Sequence, residues 1–80
     1  MEETIGQKRV GTGFNPSGSV DIDIVKQNIS AEIDRMHRLM GVGHGEVSRL
    51  AAIAMTHLET ASMFAVKAII RADEIIADSD

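Results

Sequence analysis

Apolar residues recur every three or four positions along two segments of the chain, a spacing that places them on one face of an α-helix. In the first segment, residues 19–40, the apolar face comprises Ile22, Val25, Ile29, Ile33, Met36 and Met40. In the second segment, residues 46–78, an alanine-rich stripe comprises Val47, Leu50, Ala54, Leu58, Ala61, Ala65, Ala68, Ala72 and Ile76. The pattern predicts two helices, about 30 Å and about 45–50 Å long, and no strand alternation of useful length.

The start of the first predicted helix carries the residues that helix ends favour. Ser19 can cap the first turn, because its hydroxyl can accept a hydrogen bond from a free backbone N–H group. Asp21 and Asp23 place negative charge where the helix dipole favours it. These residues predict that the first helix begins at about residue 19.

The stretch "GVGHG", residues 41–45, separates the two predicted helices. Gly41 and Gly43 can take the left-handed backbone angles that end a helix, and so short a connection returns the chain antiparallel to itself. We therefore expect one all-α domain over residues 1–80. It is an antiparallel two-helix hairpin, preceded by an N-terminal arm and an extended loop at residues 1–18.

Hydrophobic surface outside the alanine-rich stripe exceeds what a two-helix hairpin can cover. It consists of Met55, Met63, Phe64, Val66, Ile69 and Ile70. A chain of 80 residues without cysteine has a modest core and no disulfide, so self-association is the remaining common means of stabilisation. We expect a compact homo-oligomer; the alternative is that Ile5, Val10 and Phe14 of the arm fold back over part of this surface.

Charge and hydropathy narrow the class of partner. The net charge is −4, and acidic residues crowd the C-terminal end, which argues against binding to long nucleic acid but not against a small phosphate ligand. The acidic residues are Asp73, Glu74, Asp78 and Asp80.

The N-terminal stretch "MEETIGQKRV" has no apolar core and is not a signal peptide. No apolar run approaches the roughly 18–20 residues that span a bilayer, so we expect no membrane partner.

Residue patterns typical of enzymes and metal sites are missing. His37, His44 and His57 are scattered, and no HExxH motif or Cys/His cluster accompanies them. No nucleophile elbow or triad spacing occurs, and "GTG" lacks the lysine and hydroxyl of a phosphate-binding loop. The sequence predicts a protein that is not an enzyme and needs no metal or cofactor.

The stretch "GTGFNPSG", residues 11–18, is the first candidate binding segment. Its glycines let the backbone approach a ligand closely, and Pro16 restricts the loop. Phe14 offers a flat face on which a base could stack, and Lys26 in the following helix could supply a charge for a phosphate. The alternative interpretation is that Phe14 plugs the end of the hairpin and that the glycines only form a turn.

Lys67 is the second candidate, because it interrupts the apolar run "MFAVKAII". In the ordinary interpretation, its charged end reaches solvent along its apolar stem. In an oligomer, however, copies of Lys67 would recur around a symmetry axis and could converge on one anionic ligand. Such a cluster would repel itself without a ligand, so convergence would imply a function.

The stretch "LETASMFAVKAI", residues 58–69, resembles the signature of a bacteriophage family of cyclic-nucleotide sponges that block the CBASS defence. The hairpin module is shared with the sponge that blocks Thoeris defence. The pair Gly13-Phe14 and the pair Val25-Lys26 agree with the N-terminal half of that family's pattern. The resemblance covers roughly residues 11–72.

This resemblance implies a homohexamer in the cytoplasm of the infected host that holds cyclic oligonucleotide messengers between subunits without cleaving them. It also implies two kinds of pocket. The residues implied for cyclic dinucleotides are Gly13, Phe14, Asn15, Ser17 and Lys26. The residues implied for cyclic trinucleotides, near a threefold axis, are Asn28, Lys67 and Arg71.

The chain departs from the family pattern at several positions. Phe14 stands where tyrosine is frequent, and it keeps the stacking face without the hydroxyl. Lys67 stands where some members have arginine, so it lacks the two-pronged guanidinium that matches a phosphate. Phe64 replaces tryptophan, a change expected to be conservative in a core, and the chain from the aromatic to Lys26 is shorter. Two further hypotheses stand beside the sponge: a helical oligomerisation or adaptor module of a phage, and a nuclease or phosphodiesterase acting on these messengers.

Overall fold

The computed structural model describes residues 2–79; Met1 and Asp80, the ends of the predicted domain, lie outside the described residues. Within that range the regular structure is entirely helical. The chain forms α1 (Ile5–Val10), α2 (Val20–Leu39), a single 3-10 turn (Met40–Val42) and α3 (Gly45–Asp78). Helices α2 and α3 form the hairpin, and α1 packs mainly on α2 with a smaller contact on α3.

Helix α1 occupies part of the arm for which the sequence predicted an extended loop, so that prediction is wrong for residues 5–10. A reciprocal pair of hydrogen bonds starts the helix: Gln7 N–H donates to Thr4 Oγ1 at 3.1 Å, and Thr4 N–H donates to Gln7 Oε1 at 2.8 Å. Gly11 ends it at φ 75°, a left-handed angle that glycine adopts without steric cost. The pattern Thr4-x-x-Gln7 is a capping box, and this motif was the sequence signal that could have predicted α1.

Helix α2 begins as its sequence predicts. Ser19 Oγ accepts a hydrogen bond from Ile22 N–H at 3.4 Å, and Asp21 and Asp23 lie in the first turn. Ile22 is 2% exposed and Ile33 is fully buried, so the predicted apolar face does pack inward.

Two polar residues share the inward face of α2. Lys26 and Ser30 are both buried, and Ser30 Oγ donates to Gln27 O at 2.9 Å. Met40, predicted as the last residue of this face, lies just after the helix in the 3-10 turn and is 37% exposed. A hydrophobic pattern detects the apolar members of a face but gives no signal for a buried lysine.

The connection between α2 and α3 uses one left-handed glycine. Gly43 has φ 79°, whereas Gly41 lies within the 3-10 turn at an ordinary angle, so only one of the two predicted positions is left-handed. His44 caps α3, because its Nδ1 accepts a hydrogen bond from Glu46 N–H at 3.3 Å. This histidine therefore has a structural role at the turn.

The face that α3 turns toward α2 differs from the predicted alanine-rich stripe. Its buried residues are Ala51, Met55 and Ser62, whereas Leu50 is 52% exposed and Ile76 is 66% exposed. Helix α3 is apolar around much of its circumference, so its periodicity alone does not identify the side that meets α2. At those two exposed positions the stripe therefore does not pack against α2.

Helix α3 extends well beyond its partner. It has 34 residues against 20 in α2, and the molecule measures 55 × 27 × 12 Å. Large apolar side chains along α3 stay exposed in the single chain, among them Met63, Phe64, Ile75 and Ile76. Phe64, expected in a core, is thus not part of the core of one chain. This surface suits burial in an oligomer, which remains a prediction.

Helix α3 is also long and apolar enough to cross a membrane by length and composition, contrary to the expectation from the sequence. An 18-residue apolar stretch of α3 is only 11% buried within the chain. One helix of this kind is weak evidence for a membrane span, because core helices of soluble proteins can have the same length and apolar composition.

Candidate ligand site

The loop between α1 and α2 presents Phe14 to solvent. Phe14 N–H donates to Gly11 O at 3.0 Å, which fixes the aromatic residue directly after the end of α1. Phe14 is 71% exposed, so the alternative that Phe14 plugs the end of the hairpin is wrong for this chain. An exposed ring on a hydrogen-bonded backbone is a surface on which a base can stack.

Asn15 and Ser17 hold the loop in place through their side chains. Asn15 Nδ2 donates to Ser19 O at 2.8 Å and to Asp23 Oδ1 at 2.9 Å, while Ser17 Oγ donates to Asn15 Oδ1 at 2.9 Å. Both amide hydrogens of Asn15 are therefore used within the protein. The predicted contact of Asn15 and Ser17 with a ligand remains a prediction, and their observed role is to fix the loop on the start of α2.

Lys26 lies beneath this loop and is 8% exposed. Its Nζ donates to Gly11 O at 3.1 Å and also to Phe14 O, and it lies 5.6 Å from the centroid of the Phe14 ring. A lysine ammonium has three donors, so one is left after these two carbonyls. Lys26 thus holds the loop and brings a positive charge to the aromatic ring, a geometry that favours cation–π attraction.

A small cavity of about 120 Å³ opens beside this pair. The loop, α2 and α3 all contribute to its wall, which consists of Phe14, Asn15, Pro16, Ser17, Ile22, Lys26, Val66 and Ile70. The sequence did not predict the contribution of Val66 and Ile70, because only the packing of α3 against α2 brings them to the loop. The wall is mostly apolar with one buried cation, which suits a flat base attached to a phosphate.

A second cavity of about 280 Å³ lies between α1 and α3. It is lined by Val10, Lys26, Ser62, Met63, Val66 and Lys67. Lys26 therefore borders both cavities, and Lys67 borders the second. Lys67 is exposed, and its Nζ lies 5.5 Å from the centroid of the Phe64 ring. The exposed end of Lys67 agrees with the ordinary interpretation in one chain and leaves its convergence in an oligomer as a prediction.

The other predicted site residues are dispersed in the single chain. Asn28 is exposed on α2, and Arg71 is exposed on α3, where Nη1 lies 3.4 Å from Glu74 Oε2. Neither residue lines the second cavity with Lys67, so the described residues 2–79 do not gather this set around one cavity. Gly13 is exposed in the loop, with open space where a Cβ atom would stand.

Residues that sequence reasoning missed connect α1 to the hairpin. Gly6 N–H donates to Asp34 Oδ1 at 2.7 Å, and Arg9 Nη2 lies 3.3 Å from Glu59 Oε2. No sequence motif links residues that lie 28 and 50 positions apart. Within residues 2–79 no group of His, Asp and Glu side chains is placed to hold a metal ion, and the expectation of no metal stays a prediction.

The fold and the site together define a class: a small helical hairpin domain with an aromatic residue on the loop before its first long helix and a buried lysine of that helix beneath the loop. The model of the Acb2/Tad1 hairpin domain matches residues 6–69, most of the chain, and the chain belongs to this family. The match confirms the resemblance to the anti-CBASS and anti-Thoeris sponges inferred from residues 58–69. Searches among curated proteins and among solved structures give no significant match.

Proposed function

We propose that this protein binds cyclic dinucleotide second messengers and sequesters them without cleavage, which blocks CBASS-type antiviral signalling in the cytoplasm of an infected bacterium. Membership of the Acb2/Tad1 hairpin family supports a sponge-like anti-defence role for the chain. One observation supports the ligand assignment. The exposed Phe14 ring lies 5.6 Å from Nζ of the buried Lys26, and this Nζ donates hydrogen bonds to the backbone carbonyls of Gly11 and Phe14.

The chemistry of this pair fits a nucleotide. A base stacks on the free face of Phe14, an interaction worth about 1–3 kcal/mol on truncation in proteins where stacking has been tested. Lys26 keeps one N–H donor and its full charge for a phosphate oxygen at the base of the cavity. The backbone that surrounds the same ligand is that of Gly13, Asn15 and Ser17.

A cyclic dinucleotide needs more room than one chain provides. Pockets that enclose drug-sized ligands measure about 300–1,000 Å³, whereas the cavity beside Phe14 measures about 120 Å³. A second copy of the chain would complete the site, and a twofold interface would present two Phe14–Lys26 pairs to the two halves of the ligand. The exposed apolar side chains of α3 supply surface for such an assembly, which we propose to be a hexamer.

We propose a cyclic trinucleotide site at Lys67, Asn28 and Arg71, where copies from different subunits meet around a threefold axis. The charges of Lys67 and Arg71 lie one turn apart on α3, as residues four positions apart do. Sequestration requires tight binding and no reacting group, so the proposal includes neither catalysis nor a cofactor. It also includes neither a membrane nor long nucleic acid as a partner.

The test is isothermal titration calorimetry of the full chain against a panel of cyclic dinucleotides and cyclic trinucleotides, with linear dinucleotides as the matched control. We expect micromolar or tighter binding of at least one cyclic ligand. After heat denaturation, chromatography should recover that ligand intact. Absence of binding across the panel at micromolar protein would overturn the proposal, and recovery of linear or mononucleotide products would indicate a phosphodiesterase instead.

The exposed apolar surface of α3 also suits a second candidate, an oligomerisation or adaptor module of a phage that binds no small ligand. That candidate predicts a stable oligomer in light scattering together with no heat of binding for any nucleotide. The two measurements on one sample therefore separate the sponge from the module.

A further inference from the structure

The point where α1 meets α2 is unusually close. A Cβ atom added to Gly6 would overlap the carbonyl oxygen of Ser30 and lie 2.8 Å from Asp34 Oδ1. Only glycine lets the α1 backbone approach α2 to this distance. At the same place Gly6 N–H donates to Asp34 Oδ1 at 2.7 Å, a short bond from a helix N-terminal amide to a carboxylate.

The opposite end of α1 is connected directly to Phe14. Gly11, which ends the helix, accepts through its carbonyl oxygen from Phe14 N–H at 3.0 Å and from Lys26 Nζ at 3.1 Å. The Gly11 carbonyl oxygen thus accepts the hydrogen bond that fixes the Phe14 backbone. It also accepts one of the two hydrogen bonds that Lys26 donates. Because α1 is one continuous helix of six residues that ends at Gly11, its position on α2 sets where that carbonyl lies.

The ion pair that joins α1 to α3 is a weaker attachment. Arg9 and Glu59 join α1 to α3 at 3.3 Å, but their side chains are 27% and 36% exposed. Partly exposed ion pairs contribute little to stability. The position of α1 on α2 is therefore held at its N-terminal end by Gly6 and the carboxylate that accepts from it, and at its C-terminal end by the hydrogen bond from Lys26 Nζ to Gly11 O.

We propose that Gly6 and Asp34 are positioning residues for the ligand loop: they seat α1 on α2, and α1 then places Phe14 over Lys26 through the Gly11 carbonyl. Neither residue lines the two cavities, and both act at a distance from the ligand. The inference rests on the proposed function for its consequence in binding, but the placement of the loop is a property of the ligand-free protein.

The first measurement is hydrogen exchange of the ligand-free full chain, with Gly6→Ala compared with Gly41→Ala. Gly41 is exposed, has open space for a Cβ atom and has no left-handed angle, so it is a matched control for the same chemical change. We expect the Phe14 amide to exchange about tenfold faster or more in Gly6→Ala, as for loss of a backbone hydrogen bond. Protection across α2 and α3 should be retained, and Gly41→Ala should match the unchanged protein.

Two results would overturn the proposal. Faster exchange confined to residues 5–10 would show that the loop is held without α1. A uniform loss of protection across all helices would show a general structural role for Gly6 and no specific positioning of the loop.

The second measurement uses Asp34→Ala and Asp34→Asn. The asparagine amide oxygen can still accept from Gly6 N–H, so Asp34→Asn should keep most of the Phe14 protection that Asp34→Ala loses. The same order should appear in cyclic dinucleotide affinity, with about a tenfold loss for Asp34→Ala and a smaller loss for Asp34→Asn. Equal behaviour of the two variants in exchange would contradict the proposal. If the unchanged protein binds no nucleotide, the proposed function fails while the exchange data still decide the role of Gly6 and Asp34.

Discussion

Two phenylalanine–lysine pairs in this protein have almost the same geometry and very different surroundings. Nζ of Lys26 lies 5.6 Å from the Phe14 ring centroid, and Nζ of Lys67 lies 5.5 Å from that of Phe64. Lys26 is 8% exposed and donates to two loop carbonyls, whereas Lys67 is exposed on the side of α3. The distance between ring and charge therefore does not distinguish a built site from a surface contact.

The difference lies in what brings each pair together. Phe64 and Lys67 are three positions apart on one helix, so helix geometry alone makes them neighbours. Phe14 and Lys26 are separated by a loop and the first turns of α2, and hydrogen bonds from Lys26 Nζ to the carbonyl oxygens of Gly11 and Phe14 hold them together. A pair that requires tertiary structure is stronger evidence for a site within one chain. In the proposed function, the pair of Phe64 and Lys67 becomes part of a site only where several subunits meet.

The largest effect in this comparison should come from Lys26→Met, with Lys67→Met as its matched control. Lys26→Met removes two hydrogen bonds to a charged group, each worth about 1.5–3 kcal/mol. We expect cyclic dinucleotide affinity to fall about 100-fold or more in calorimetry, together with a lower melting temperature. Lys67→Met should leave both nearly unchanged. An equal loss of stability in the two variants would show that the hydrogen bonds from Lys26 to the loop carbonyls do not stabilise the protein.

A smaller effect is expected from Phe14→Ala, compared with Phe64→Ala. Removal of the stacking face should weaken cyclic dinucleotide binding by about 1–3 kcal/mol, and melting of the ligand-free protein should change little because the ring is 71% exposed. Phe64→Ala should keep dinucleotide affinity in calorimetry provided that light scattering shows the same oligomer. If dinucleotide affinity falls only in Phe64→Ala, the base-stacking ring has been assigned to the wrong pair.

The smallest effect should come from Lys67→Arg. The guanidinium can contact a phosphate through two parallel N–H groups, so we expect cyclic trinucleotide affinity to rise by up to about tenfold. Cyclic dinucleotide affinity, measured in the same way, should not change. A rise for dinucleotides as well would indicate that Lys67 serves the cavity it shares with Lys26 and that the two sites are not separate.

Much of the fold could be predicted from local sequence. Ser19 caps α2 as expected, and the spacing of Ile22 and Ile33 correctly predicts their burial. The capping box at Thr4 and Gln7 was equally local, so α1 was predictable in principle. The side of α3 that faces α2 was not predictable, because Ala51 and Met55 compete with other apolar positions around the same helix and the third buried residue, Ser62, is polar.

The sequence by itself determined that the chain is helical, where it turns and which family it belongs to, because caps, glycines, apolar spacing and the signature at residues 58–69 are all local features. It also indicated Phe14 and Lys26 as candidates. Only the tertiary structure decided that Lys26 is buried beneath the loop and that Gly6 and Asp34 seat the helix before it. Those contacts join distant positions, and their energies depend on packing and hydrogen-bond geometry that no local pattern encodes.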